Sequence, residues 1–251
     1  MKKQVRQVFL RPPDCTEPVI FCFNHAGGNA RAFSGWHSTA GAGFVPLEMP
    51  GHGIRSMEEP LTDIGMLADE YAEAIAEVVQ NDAPFSLFGH SLGALIAFRT
   101  AQLLTDRYDI YPCCLQVSGA HAPHDDDPSA YRTAMGEEAL IQEILSLGHT
   151  PAELFECREY RDYIMPLLMS DYRMKESFSY DGCPLEIPVY AYCGNNDGEA
   201  PPEAVKRWKE VTSAGFALRE FTGDHFYLFE ADNHVAEKVA NDMLGCFDRC
   251  V

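Results

Sequence analysis

A short apolar run at residues 85–88 leads directly into Gly89-His90-Ser91-Leu92-Gly93, and an apolar, Ala-rich segment with helical spacing follows at 92–104. Few folds accept that order of strand, Gly-x-Ser-x-Gly and helix. The chain has to leave a buried strand, reverse sharply and enter a packed helix within about five residues. Side chains at 89 and 93 would collide with the turn or with the neighbouring helix and strand, and the residue between them is forced into a strained conformation. Such a turn lifts the Ser91 hydroxyl above a sheet and aims the unpaired amides of a helix N-terminus at any negative charge that develops there. Ser91 is therefore the candidate nucleophile.

The rest of the chain supplies a sheet for this turn. Strand-like runs at 18–23, 43–49, 112–118, 188–193 and 216–221 alternate with helical patterns at 31–39, 64–79, 201–211 and 230–247, and 5–10 reads as a first edge strand. Strands alternating with helices predict an α/β fold with a mainly parallel central sheet covered on both faces. Residues 125–182 break the alternation: they are polar, helix-prone and too long for a plain crossover, which predicts a helical cap inserted over the sheet. With 251 residues, no internal repeat and no linker, residues 1–251 read as a single domain carrying that lid.

Charge narrows the partners. Nineteen basic against 38 acidic residues leave a net charge of −19 with no basic run, an acidic surface that disfavours nucleic acid and anionic lipid. The nine cysteines form no Cys-x-x-Cys pair, and no stretch of 18 apolar residues or signal-peptide pattern is present. A reduced, cytoplasmic protein is expected.

A serine hydroxyl is a weak nucleophile and needs a base within reach and a third group to orient that base. In the chain order serine, acid, histidine, the loops after the last two predicted strands offer Asp197 and His225. The rival acid is the run Asp125-Asp126-Asp127 after the strand ending at Ser118, whereas a tight turn directly after a strand fixes a side chain better. His90, beside the nucleophile, is expected to aim its ring away from it. Two donors are needed for the oxyanion of a tetrahedral intermediate. The amide of Leu92 is one, and the amide of Ala26, in the loop Asn24-His25-Ala26-Gly27-Gly28 after the first central strand, is the other. His121 and His124 beside the aspartates lack the spacing of a metal site, and no phosphate loop or dinucleotide fingerprint occurs, so neither metal nor cofactor is expected.

Taken together, Phe23-Asn24-His25-Ala26-Gly27-Gly28-Asn29-Ala30, Pro50-Gly51-His52-Gly53-Ile54-Arg55, the Ser91 elbow, Ser118-Gly119 with Ala122-Pro123, Pro166-Leu167-Leu168 with Asp171, Asp197 and His225-Phe226 resemble the stand-alone type II thioesterases of nonribosomal peptide and polyketide synthesis. The resemblance runs over nearly the whole chain and implies an α/β-hydrolase fold, a Ser91–His225–Asp197 triad and hydrolysis of acyl groups from the phosphopantetheine arm of carrier proteins; a monomer is expected. Asn24, Met169 and Asp224 depart from the family pattern, which often has proline, arginine and glycine there. A small-molecule carboxylesterase and a non-catalytic relative of the same fold are the competing readings.

Overall fold

The computed structural model describes residues 7–11, 13–36, 41–79, 84–126, 131–148 and 150–248. Six parallel strands, β1 (Val19–Phe23), β2 (Gly43–Pro46), β3 (Phe85–His90), β4 (Leu115–Ser118), β5 (Val189–Gly194) and β6 (Phe216–Phe221), form one sheet in the order β2-β1-β3-β4-β5-β6. The four inner strands are buried along their whole length, as their unbroken apolar runs require, while β2 and β6 on the edges are half-buried.

Alternation along the strands sorts the core into two layers. Val19, Phe21, Leu87, Val117 and Ala191 point to the face covered by α1 (Ile64–Val78) and α2 (Leu92–Tyr108). Ile20, Cys22, Phe88 and Tyr192 point to the opposite face. Between β4 and β5 run α3 (Glu137–Ser146), α4 (Ala152–Glu156) and α5 (Arg158–Ser177), which share a separate apolar cluster of Leu140, Ile144, Phe155, Ile164 and Met165. The chain then passes through β5, the short α6 (Pro202–Val205) and β6 to α7 (Val235–Phe247), whose Val239 and Met243 sit in the second layer.

Several expected boundaries move. The helix expected at 31–39 is a single 3-10 turn at Ala30–Phe33, and residues 37–40 lie outside the described ones. Of the edge strand expected at 5–10, the described part makes one antiparallel bridge, Phe9 to Leu47. The helix expected at 201–211 is α6 followed by a 3-10 segment, Lys206–Val211, and that expected at 230–247 starts only at Val235, because His234 turns left-handed (φ 49°) just before it.

Candidate active site

Ser91 stands between the end of β3 and the start of α2 with φ 55° and ψ −121°, a conformation that costs an L-residue on the order of 1–2 kcal/mol. Close backbone packing enforces it. A Cβ at Gly89 would lie 2.1 Å from the Gly93 carbonyl oxygen, and one at Gly93 would lie 2.2 Å from that of Phe23, so β3, α2 and β1 meet without side chains between them. The Ser91 amide donates to the Ser118 carbonyl at 2.8 Å, which pins the bend to β4.

Two neighbouring loops bring the acid and the imidazole together. Asp197 follows β5 and is buried; its Oδ1 accepts from the amides of Glu199 (2.9 Å) and Ala200 (3.0 Å), which leaves Oδ2 facing His225 Nδ1 at 2.9 Å. His225 follows β6, and its loop touches the Asp197 loop backbone to backbone: a Cβ at Gly194 would lie 2.4 Å from the Asp224 carbonyl oxygen. Burial alone would raise the Asp197 carboxyl, but the His225 hydrogen bond and charge and the two amides outweigh it and hold the group below its ordinary value. For His225, burial opposes the charged ring, yet the Asp197 hydrogen bond and the Glu199 and Asp197 charges hold it above its ordinary value. With Asp197 ionised, Nδ1–H donates to it and Nε2 is the unprotonated nitrogen of the neutral ring.

Nothing in the sequence marked the neighbours of that nitrogen. Glu199 Oε2 lies 3.4 Å from His225 Nε2, and Lys175 of α5 lies 3.5 Å from Glu199 Oε1. The ring of His90, fully buried, lies 4.8 Å from the His225 ring and 5.9 Å from that of His25, with Nδ1 3.0 Å from Ser118 Oγ. It forms the floor under the imidazole, held neutral by burial and by the charge of His225. His25 is pushed down to about 4 for the same two reasons.

The other candidates take up distinct places. Ala26 and Leu92 line, with Ser91 and His225, a cavity of about 150 Å³ whose far wall is Phe155 and Leu168 of the helical segment. A second cavity of about 690 Å³ also reaches Ser91 and is more polar, bordered by Arg132, Lys175 and Glu199. Asp125 pairs with Arg207 and is not brought to His225; Asp127 lies outside the described residues. His121 Nε2 lies 2.9 Å from the Glu199 carbonyl and His124 Nε2 3.0 Å from Glu210. Of the departures from the family pattern, Asn24 donates to the Leu47 carbonyl, the Met169 sulfur accepts from the Tyr131 hydroxyl, and Asp224 caps the amide of Phe226.

The set is chemically suited to acyl transfer: a strained hydroxyl, an imidazole whose far nitrogen is held by a carboxylate, and a helix N-terminus facing one cavity. Comparison with known proteins gives the same direction. A family model described as thioesterase domain matches residues 18–243. The gramicidin S biosynthesis protein GrsT of Aneurinibacillus migulanus is 32% identical over 226 residues, covering 87% of this chain and 86% of GrsT. The thioesterase PikA5 of Streptomyces venezuelae is 32% identical over 230 residues, 90% of this chain and 80% of its own. Among solved structures, YbtT, a type II thioesterase from the yersiniabactin pathway, superposes with a TM-score of 0.83 at 30% identity, covering 96% of this chain and 98% of YbtT.

Proposed function

The chain belongs to the thioesterase family, and from that premise we propose that it is a type II thioesterase that clears acyl groups from the phosphopantetheine thioesters of carrier proteins in nonribosomal peptide or polyketide synthesis. Ser91 Oγ attacks the thioester carbonyl while His225 Nε2 accepts its proton; Asp197 fixes the ring tautomer and steadies the imidazolium. The amides of Leu92 and Ala26 hold the oxyanion. The thiolate departs without needing a proton as urgently as an alkoxide or amine would and then takes the proton that His225 accepted from Ser91; the neutral imidazole so restored deprotonates water, which attacks the acyl-enzyme, and the proton returns to Ser91 Oγ as the acyl group leaves as an acid. The observation that carries this reading is the 2.9 Å contact of His225 Nδ1 with a carboxylate already saturated on its other oxygen, in a cavity shared with Ser91.

In this reading residues 1–251 are one α/β-hydrolase domain with the helical segment at about 125–182 as its lid, working as a monomer in the cytoplasm. No helix among the described residues is long and apolar enough to cross a membrane. Incubation with an acylated carrier protein and with a simple acyl ester tests the substrate. Faster release from the carrier is expected; ester cleavage with no release from the carrier would replace the proposal by a carboxylesterase.

A pH profile tests the imidazole. Only the neutral ring accepts the Ser91 proton, so kcat/KM is expected to fall as pH drops through a His225 value that lies above the ordinary one. Glu199→Gln removes one of the charges that raise it. The acid limb of the variant is expected to move to lower pH, and a limb that stays in place would show that His225 does not set it.

A further inference from the structure

Asp171, near the C-terminal end of α5, is 1% exposed and lies outside the proposed triad. Its Oδ2 accepts from the Gly27 amide at 2.7 Å and lies 3.1 Å from His52 Nε2. The other nitrogen of His52 faces the Pro50 carbonyl at 3.0 Å. A carbonyl oxygen and a carboxylate can only accept, so an imidazole satisfied at both ends carries two protons and pairs with Asp171 as a cation. Burial opposes that cation, but the Asp171 hydrogen bond and charge, the Pro50 carbonyl and Glu48 outweigh it and hold His52 above its ordinary value.

The amide that Asp171 holds belongs to a particular turn. Gly28 N donates to the His25 carbonyl at 3.0 Å, Gly27 has φ +73°, and Ala26 is not among the residues of positive φ. That is a type II turn with Ala26 and Gly27 at its centre. Types II and I differ by a flip of the central peptide, the Ala26–Gly27 unit, so the flip is the turn's low-cost route of distortion. It would carry the Gly27 N–H away from Asp171 and bring the Ala26 carbonyl oxygen against a buried carboxylate. Around the same spot α5 is seated by shape. A Cβ at Gly27 would meet Leu168 at 2.7 Å, and one at Gly51, before His52, would meet Leu167 at 3.1 Å.

We propose that Asp171 is a positioning residue for the oxyanion site: by accepting from Gly27 and His52 with one oxygen it holds the Ala26–Gly27 peptide in the type II orientation and ties this turn to α5, which fixes the place of Ala26 and with it the position of the Ala26 amide. This rests on the thioesterase reading and on Ala26 as an oxyanion donor, and it makes one helix of the segment over the site part of the catalytic framework. A donor displaced by about 1 Å costs on the order of 10²-fold in rate. The loss falls on kcat, because the oxyanion exists only after attack.

Two nearly isosteric variants separate positioning from packing. Asp171→Leu fills the space without an acceptor, and Asp171→Asn keeps an oxygen for the Gly27 amide. Asp171→Leu is expected to lower kcat for a carrier-bound thioester on the order of 10²-fold with KM little changed, and Asp171→Asn to recover most of it. Amide hydrogen exchange at Gly27, read by NMR, is expected to speed up in the Leu variant and to stay slow in the Asn variant. Unchanged exchange at Gly27 in Asp171→Leu overturns the proposal whatever the rates, as does fast exchange with a wild-type kcat, or equal losses in both variants. If Asp171→Leu fails to fold, Asp171→Asn decides alone: slow exchange and retained kcat support the proposal, while slow exchange with kcat lost overturns it. The thioesterase reading fails separately, when Ser91→Ala retains activity.

Discussion

Ser91→Ala is expected to lower kcat for thioester release on the order of a millionfold, the loss seen when a triad nucleophile is removed, while the melting temperature stays near that of wild type. The two expectations have one cause. Alanine and serine carry the same Cβ, so the penalty of φ 55° is the same for both, and the close contacts at Gly89 and Gly93 that impose the bend do not involve the hydroxyl. The hydroxyl is thus separable from the elbow. Residual release above the rate in water, about 10³- to 10⁴-fold, would come from the oxyanion donors and from binding. Acyl release from a carrier protein, followed beside a thermal melt, checks both. A variant that keeps more than about a tenth of wild-type kcat would remove Ser91 as the nucleophile and leave the family fold without the mechanism proposed for it.

The elbow was legible because its constraint is local. Three residues within the turn must avoid one another and one strand, and a Cβ at Gly89 or Gly93 would come within 2.1 or 2.2 Å of a backbone carbonyl oxygen. The inner strands were legible for a similar reason, since a parallel strand buried on both faces has to be apolar throughout. Helix starts were less so. His234 ends one turn and admits α7 through a left-handed φ, which leaves no mark in the periodicity.

At the site, the residues named from chain order share a cavity wall or a hydrogen bond, whereas those that only tertiary packing delivers were missed. Lys175 reaches Glu199 because α5 crosses above the β5 loop, and sequence spacing holds no information on how that helix lies. His90 was expected to face away from the nucleophile; what the local backbone could not convey is that the His225 loop would settle on its ring at 4.8 Å. Asp171 was visible as part of a family pattern, but the two residues it contacts, Gly27 and His52, lie 144 and 119 residues away from it in the sequence.

Asp197→Asn is expected to lower kcat about 10⁴-fold, and the reason lies in how the carboxylate is held. Oδ1 accepts from two amides, those of Glu199 and Ala200, so an asparagine keeps its carbonyl oxygen there and turns its NH₂ toward His225 Nδ1. An amide that donates to Nδ1 forces the ring proton onto Nε2, the atom that must accept from Ser91, and the ring becomes a donor where a base is required. Neutralising the rival acids is a fair control, because Asp125, a largely buried side chain, is tied to the half-exposed Arg207 and not to His225. Asp125→Asn, Asp126→Asn and Asp127→Asn combined are therefore expected to cost less than about tenfold in kcat, or about 1.4 kcal/mol of barrier. Steady-state kinetics on the two variants gives the ranking. The reverse order would move the acid to the loop after β4 and make the Asp197–His225 contact a structural one.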